Sequence, residues 1–286
     1  MKLITEIKSI ENIHKYDVDG IIFADKNFST ISDKTFSFPE IERIVDYCKD
    51  NNKLAILKID KIISENELQS LNTFLEEIIK LDIDYYLFTD MAVLNFMRNV
   101  ESTDRLIFAA KTLNCSYNDS LFYRDLGIKV LLSNELTLED IKDISRLDNI
   151  VLDGYGYTNI FYSKRSLLSL FAKHYELNED YARRLLFIKE EKRENKYPLY
   201  ENDNGTFIFN ANKYMFFKEL ELVKNLFMFK IESIFIDEEE LFKVISIYKR
   251  ALAGQITDSD YQELLAIDEM VSSGFLYKKP RILKKE

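Results

Sequence analysis

Short apolar runs alternate with amphipathic segments along the first half of the chain. Gly20–Ala24 (GIIFA), Leu54–Ile59 (LAILKI), Tyr85–Phe88 (YYLF), Arg105–Ala110 (RLIFAA), Lys129–Leu132 (KVLL) and Asn149–Gly154 (NIVLDG) are short runs of largely apolar residues. Such runs mark strands covered on both faces. Between them the apolar period changes to that of a helix. Ser37 and Glu40 stand at capping-box spacing ahead of Ile41, Ile44, Val45 and Cys48. Ser64 and Glu67 repeat that spacing ahead of Leu68, Leu71, Leu75 and Ile78. Further helices are expected from about Met91, near Asn118–Leu126, and after Thr137.

Strand and helix therefore alternate at roughly 25-residue intervals, the arrangement that parallel strands with crossover helices require. No GxGxxG follows any of the strands, so a dinucleotide-type doubly wound sheet has no positive support. The predicted fold is α/β, a TIM-type (β/α) barrel forming a single domain over residues 1–286. After Gly154 the rhythm breaks. It returns with a strand in Leu226–Ile236 and a helix over Glu238–Leu252. The break predicts an insertion at about 157–215, before the last barrel strand. An insertion placed after a strand falls on the C-terminal face of a barrel, where sites form. Ser163–Asn210 is thus expected to cover the mouth, either building a site or capping it as a structural hairpin.

Charge and composition narrow the functions. The formal net charge is −10, which argues against sequence-blind binding to nucleic acid through neutralised phosphates. There are two cysteines, Cys48 and Cys115, with no CxxC pair, and His14 and His174 are isolated. No metal site and no cofactor is read from them, and two scattered thiols fit the cytoplasm. The first sixteen residues lack a continuous apolar region, and no apolar run reaches the length that spans a membrane. No GxSxG and no Cys–His arrangement supplies a nucleophile.

The stretch KEEKRENKYPLYENDNGTFIF, Lys189–Phe209, joins mixed charge to one of three prolines and an Asp-Asn-Gly turn. It resembles the motif of the collagenase-like peptidase family, peptidase family U-32. Tyr162–Phe171, Leu126–Ile141, the Phe229–Leu252 region and Ser273–Lys279 resemble other family segments in the same order. The resemblance implies a barrel catalytic domain and peptidase activity. It equally implies oxygen-independent hydroxylation of RNA or of a quinone ring. The chain is most similar to the short form that accompanies a longer paralog in hydroxylation of the tRNA wobble uridine. A hetero-oligomer with that paralog, tRNA as a further partner, and an accessory role are what this similarity implies. Several family members hold an iron–sulfur cluster on four cysteines. Two cysteines cannot supply such a cluster, and Thr158 and Asn159 stand in the cluster-bearing segment. Other departures are Asn134 for the family's Arg, Tyr155-Gly156 for His-Gly, Ala109–Thr112 for a polar Ser/Thr segment, and Ser233 for Gly. A non-catalytic binding barrel that has lost its active centre is therefore a third reading.

Chemistry and resemblance together nominate Glu232 and Glu135 as catalytic carboxylates. They nominate Lys164, Arg165, Glu191, Arg193, Asp203, Thr206 and Lys230 as substrate-binding residues. Lys230 and Glu232, two apart on a strand, share one side, as a structural ion pair or as a binding and proton-transfer pair. Glu135 is expected either in the mouth or as the cap of the next helix. Lys164-Arg165 suits an anion, and the basic residues around Arg183, Arg184, Lys189, Lys192, Arg193 and Lys196 extend it or form a solvated face. Asp203–Thr206 is a turn first, with Gly205 supplying a positive φ.

Overall fold

The computed structural model describes residues 1–278 except Thr112, Arg193, Lys224 and Gln255. Eight parallel strands close into a barrel: Lys2–Glu6, Gly20–Asp25, Leu54–Ile59, Tyr85–Phe88, Leu106–Phe108, Lys129–Leu131, Ile150–Gly156 and Met228–Ile231. They are numbered one to eight below. Closure comes from strand one, which pairs with strand two on one side and strand eight on the other. Strand one is the element that the apolar pattern alone did not mark. The expected strand over Leu226–Ile236 is shorter than its apolar run. It ends at Ile231, because the chain turns into a loop in which Phe235 has a φ of 58°.

The helices follow the predicted spacing. Phe38–Asp50 opens on the Ser37–Glu40 capping box, where Glu40 Oε2 accepts the Ser37 backbone N–H at 2.8 Å. Its buried stripe is Ile41, Ile44, Val45 and Cys48. The Ser64–Glu67 box opens a 3₁₀ turn that leads into Leu68–Ile78. Met91–Asn99, Tyr117–Asp125, Leu138–Ile144 and Glu238–Leu252 follow, and Asp258–Ile267 is an additional helix near the end of the described chain. Among the described residues, no helix is long and apolar enough to cross a membrane.

Each strand has two apolar sides, which explains why the strand runs do not alternate. One side packs outward against the helices, as with Leu3, Phe23, Leu57 and Tyr86. The other fills the barrel with Ile4, Ile22, Ile56, Leu87, Ile107, Leu131, Val151 and Met228. These inner residues form the floor below the mouth.

Between strands seven and eight the chain builds a four-stranded antiparallel sheet. Its strands are Asn159–Ser163, Leu186–Lys189, Lys196–Asn202 and Gly205–Phe209. Helix Leu167–His174 lies against it. This cap packs on loops that follow the C-terminal ends of barrel strands. Phe207 and Phe209 bury against Ile31 and Ile234. Asn204 Nδ2 donates to the carbonyls of Ser29 and Thr30 at 3.0 and 2.9 Å, and Asn202 Nδ2 to Thr30 at 3.1 Å. Gly205 is required in the hairpin: its φ is 128°, and a Cβ there would lie 2.0 Å from the Ser163 carbonyl oxygen.

Candidate functional site

Two residues beyond the apolar floor, the barrel lining becomes charged. Ile4 is followed on the same side by Glu6, Ile56 by Lys58, Val151 by Asp153, and Met228 by Lys230. The loops that follow the strands add Asp60, Lys111, Glu135 and Glu232. The period of two within strands, with these loop residues, assembles a ring of charge at the C-terminal end. A cavity of about 80 Å³ is lined there by Lys58, Lys111, Asn134, Asp153, Lys230 and Glu232, among others. It adjoins a cleft of about 710 Å³ under the cap, with Lys111, Glu135 and Asn159 shared between them. Phe108, Met91, Ile160, Phe161 and Phe207 give the cleft apolar walls.

Two lysines of the ring are ion-paired. Lys230 Nζ lies 2.9 Å from Asp153 Oδ1 and 2.8 Å from Glu232 Oε2. Burial works against its charge, but Asp153 and Glu232 raise its pKa above the ordinary lysine value. For Glu232, burial favours the neutral acid, yet Lys230, Lys58 and Lys111 hold the carboxyl down at about 2. Its Oε1 also accepts the backbone N–H of Ser233 at 3.0 Å. Lys58 Nζ lies 2.9 Å from Glu6 Oε2 and donates to the Ile31 carbonyl at 2.6 Å. Burial outweighs Lys58 at Glu6, whose pKa is raised. Glu232 thus stands ionised beside Lys230 in the mouth, while the Glu6 carboxyl, paired with Lys58, is shifted the other way.

Gly156 lets Glu232 reach its place. The Glu232 N–H donates to the Tyr155 carbonyl at 2.9 Å. A Cβ on Gly156 would lie 2.7 Å from the Glu232 Cβ, and the Gly156 φ is 116°.

The sequence-nominated residues divide into two groups. Lys230, Glu232 and Glu135 meet in the mouth, with Glu232 one residue past its strand rather than inside it. Glu135 does not cap the next helix: Thr137 and Asp140 form that capping box. The others lie in the cap. Lys164 Nζ donates to the Ile62 carbonyl at 3.2 Å and ties the cap to the loop after strand three. The Arg165 carbonyl accepts from Thr206 Oγ1 at 2.8 Å, and Thr206 Oγ1 accepts the Leu167 N–H at 2.9 Å. Thr206 is buried and positions helix Leu167–His174. Asp203 pairs with Arg183 at 2.6 Å on the surface. Glu191 is exposed in the turn before Lys196, and Arg193 lies outside the described residues.

Sequence reasoning passed over Glu6, Lys58, Asp153, Lys111 and Glu201. The first three carry a readable signal: a charged residue two places after an inward apolar residue of a buried strand. Glu201 is 1% exposed and accepts the N–H groups of Leu168 and Ser169 at 2.7 and 3.1 Å. Burial pushes its carboxyl up, but hydrogen bonds from Ser169, Thr206 and these amides carry it below the usual value. Among the described residues, no group of three His, Cys, Asp or Glu side chains is arranged to hold a metal ion.

A sequence profile of peptidase family U32 matches residues 5–286. The chain belongs to that family. It is 23% identical over 265 residues to the tRNA hydroxylation protein P2 of Bacillus subtilis, covering 85% of this chain and 86% of that protein. It is also 23% identical over 246 residues to an uncharacterized protease of Methanocaldococcus jannaschii, of whose length it spans 59%. Among solved structures, the U32 peptidase Mk0906 aligns with 81% of this chain and 92% of its own, with a TM-score of 0.50 and 15% identity. That likeness supports the U32 barrel fold.

Proposed function

We propose that this U32 protein is an accessory in oxygen-independent hydroxylation of tRNA at the wobble uridine, working in the cytoplasm with a longer paralog. The similarity to the B. subtilis tRNA hydroxylation protein P2, over most of both chains, carries this reading. On it, residues 1–286 act as one barrel domain with an insertion at about 157–215. The barrel mouth is the substrate-facing site: Lys230 binds, and Glu232 and Glu135 exchange protons. Lys164, Arg165, Glu191, Asp203 and Thr206 belong to the cap, where the first four make or adjoin the recognition surface and Thr206 holds it together; Arg193, outside the described residues, is assigned to substrate binding with them. Peptide cleavage through a hydroxyl nucleophile is disfavoured, because among the described residues no hydroxyl lining the cleft is directed at a base.

The partner reading has its own support. Ile160, Leu170, Phe171, Tyr175 and Phe187 of the cap are each more than half exposed, an unusual amount of large apolar surface for one small element. Its occupant on this reading is the longer paralog.

The test is the wobble-uridine content of tRNA from a strain lacking this protein, measured by nucleoside mass spectrometry. Hydroxylated uridine should fall and return with the intact chain. Complementation by Glu232→Gln should be weak if the mouth takes part. Leu170→Asp with Phe171→Asp should abolish co-elution with the purified paralog. Unchanged hydroxylation in the deletion strain would overturn the tRNA reading.

A further inference from the structure

Of the three lysines in the mouth, Lys58 and Lys230 are tied to carboxylates. Lys111 makes no hydrogen bond or ion pair through its side chain among the described residues. It is exposed, and the space open to it is ligand space, since it lines both the small cavity and the larger cleft. Its backbone is left-handed, with a φ of 49°, as at five other non-glycine positions among the described residues.

Among the described residues, the cleft's hydroxyls are all committed. Thr30 Oγ1 donates to the Asp60 carbonyl at 2.8 Å, Thr89 Oγ1 to that of Ala109 at 3.2 Å, and Tyr162 OH to that of Asn204 at 3.0 Å. Lys111 is thus the one nucleophilic side chain lining the cleft, among the described residues, that need not first leave a partner. A free lysine at a mouth can either hold an anion or attack a carbonyl. Here Asp60, Glu135, Asp153 and Glu232 surround the same space, so carboxylates outnumber ammonium groups and an anion is disfavoured.

We infer that Lys111 is a nucleophilic amine that captures a neutral aldehyde or ketone as a reversible imine, with the ligand's apolar body lying in the cleft. The amine lone pair attacks the carbonyl carbon, a C–N bond forms, and the π pair moves to oxygen. A proton passes from nitrogen to that oxygen through water in the open cleft, giving a carbinolamine. Protonation of the hydroxyl and its loss as water leave the imine. Nothing is oxidised or reduced, and hydrolysis reverses the sequence.

Electrostatics agree with this use. The Lys111 side chain is open to the cleft, but the protein packed around that cleft still desolvates its charge; this first, then Lys58 and Lys230, lower its pKa, and Asp60 and Glu232 oppose them only in part. Desolvation and neighbouring cations are the two ways in which lysine nucleophiles are activated.

The inference does not rest on the tRNA reading, and its test contains no RNA. The full chain is incubated with benzaldehyde and cyanoborohydride, and alkylated lysines are mapped by mass spectrometry. Lys111 should be labelled at least about fivefold faster than the median of the other lysines. Lys111→Arg, which keeps the cation, should remove that label and leave the urea midpoint unchanged. Glyoxylate, an anionic aldehyde, should label Lys111 less well than benzaldehyde. Labelling of Lys111 no faster than that of surface lysines would overturn the inference, as would a preference for glyoxylate.

Discussion

Lys230 is the residue on which the mouth depends most. It neutralises two carboxylates at once in a place from which water is largely excluded. Removing one partner of such a group leaves uncompensated buried charge, which costs about 3–5 kcal/mol. Lys230→Met should therefore lower stability by about that amount in urea unfolding. Lys230→Met combined with Glu232→Gln should recover part of it. Glu232 gives a pH test of the same cluster. Its carboxyl is held at about 2 in the folded protein, against about 4.3 in an unfolded chain. Its contribution is fully present above the unfolded value and is lost as pH falls toward the folded one. Stability of the native sequence should drop through this window by on the order of 3 kcal/mol more than that of Glu232→Gln. Urea midpoints from pH 5 to pH 2 in the two proteins check it. Equal slopes would mean that Lys230 does not hold Glu232 ionised.

Among the elements, helix Leu167–His174 is the most exposed to a single change. Most of its apolar residues face outward, so its own packing stabilises it little. Its N-terminus is instead fastened by Glu201, a carboxylate in the place where the helix dipole favours negative charge. Hydrogen bonds to a charged group contribute about 1.5–3 kcal/mol. Glu201→Ala should speed amide hydrogen exchange across 167–174 and leave the barrel strands protected. If barrel and helix lose protection together, the cap is not a separate cooperative unit. The barrel elements were largely legible in the sequence because their apolar runs are covered on both faces and so remain unbroken. Lys2–Glu6 escaped notice because only Leu3 and Ile4 within it are apolar, with charge at both ends. The mouth was only half legible. Lys230 and Glu232 are near neighbours in sequence, but their partners Asp153 and Lys58 come from other strands, and no local spacing encodes that meeting. Cap residues such as Thr206 carried a family motif. Their side chains turn out to fix one another: Thr206 bonds to Arg165, Leu167 and Glu201.

At the scale of the whole molecule, the two thiols report on different events. Cys115 is exposed, whereas Cys48 is 1% exposed, and burial with help from Asp84 pushes its thiol up to about 12. A thiol reagent should titrate one cysteine at once in native protein and two in denaturant. Modification of Cys48 should follow global unfolding, because Cys48 belongs to the continuous layer between helices and barrel. Fast modification of both thiols in native conditions would show that helix Phe38–Asp50 opens independently.

The closure of the barrel by its first strand has a consequence during biosynthesis. Thr5 and its partner Ile231 are 226 residues apart. At about 5–20 residues per second, the ribosome takes roughly 11–45 s to make that interval. Throughout it, one side of Lys2–Glu6 is an unpaired strand edge able to join another nascent chain. The cap is translated inside the same interval, so it emerges before the strand that shuts the barrel beneath it. Nascent chains halted before Met228 should accordingly bind a holdase chaperone, and chains that present residues 228–231 outside the exit tunnel should be released from it.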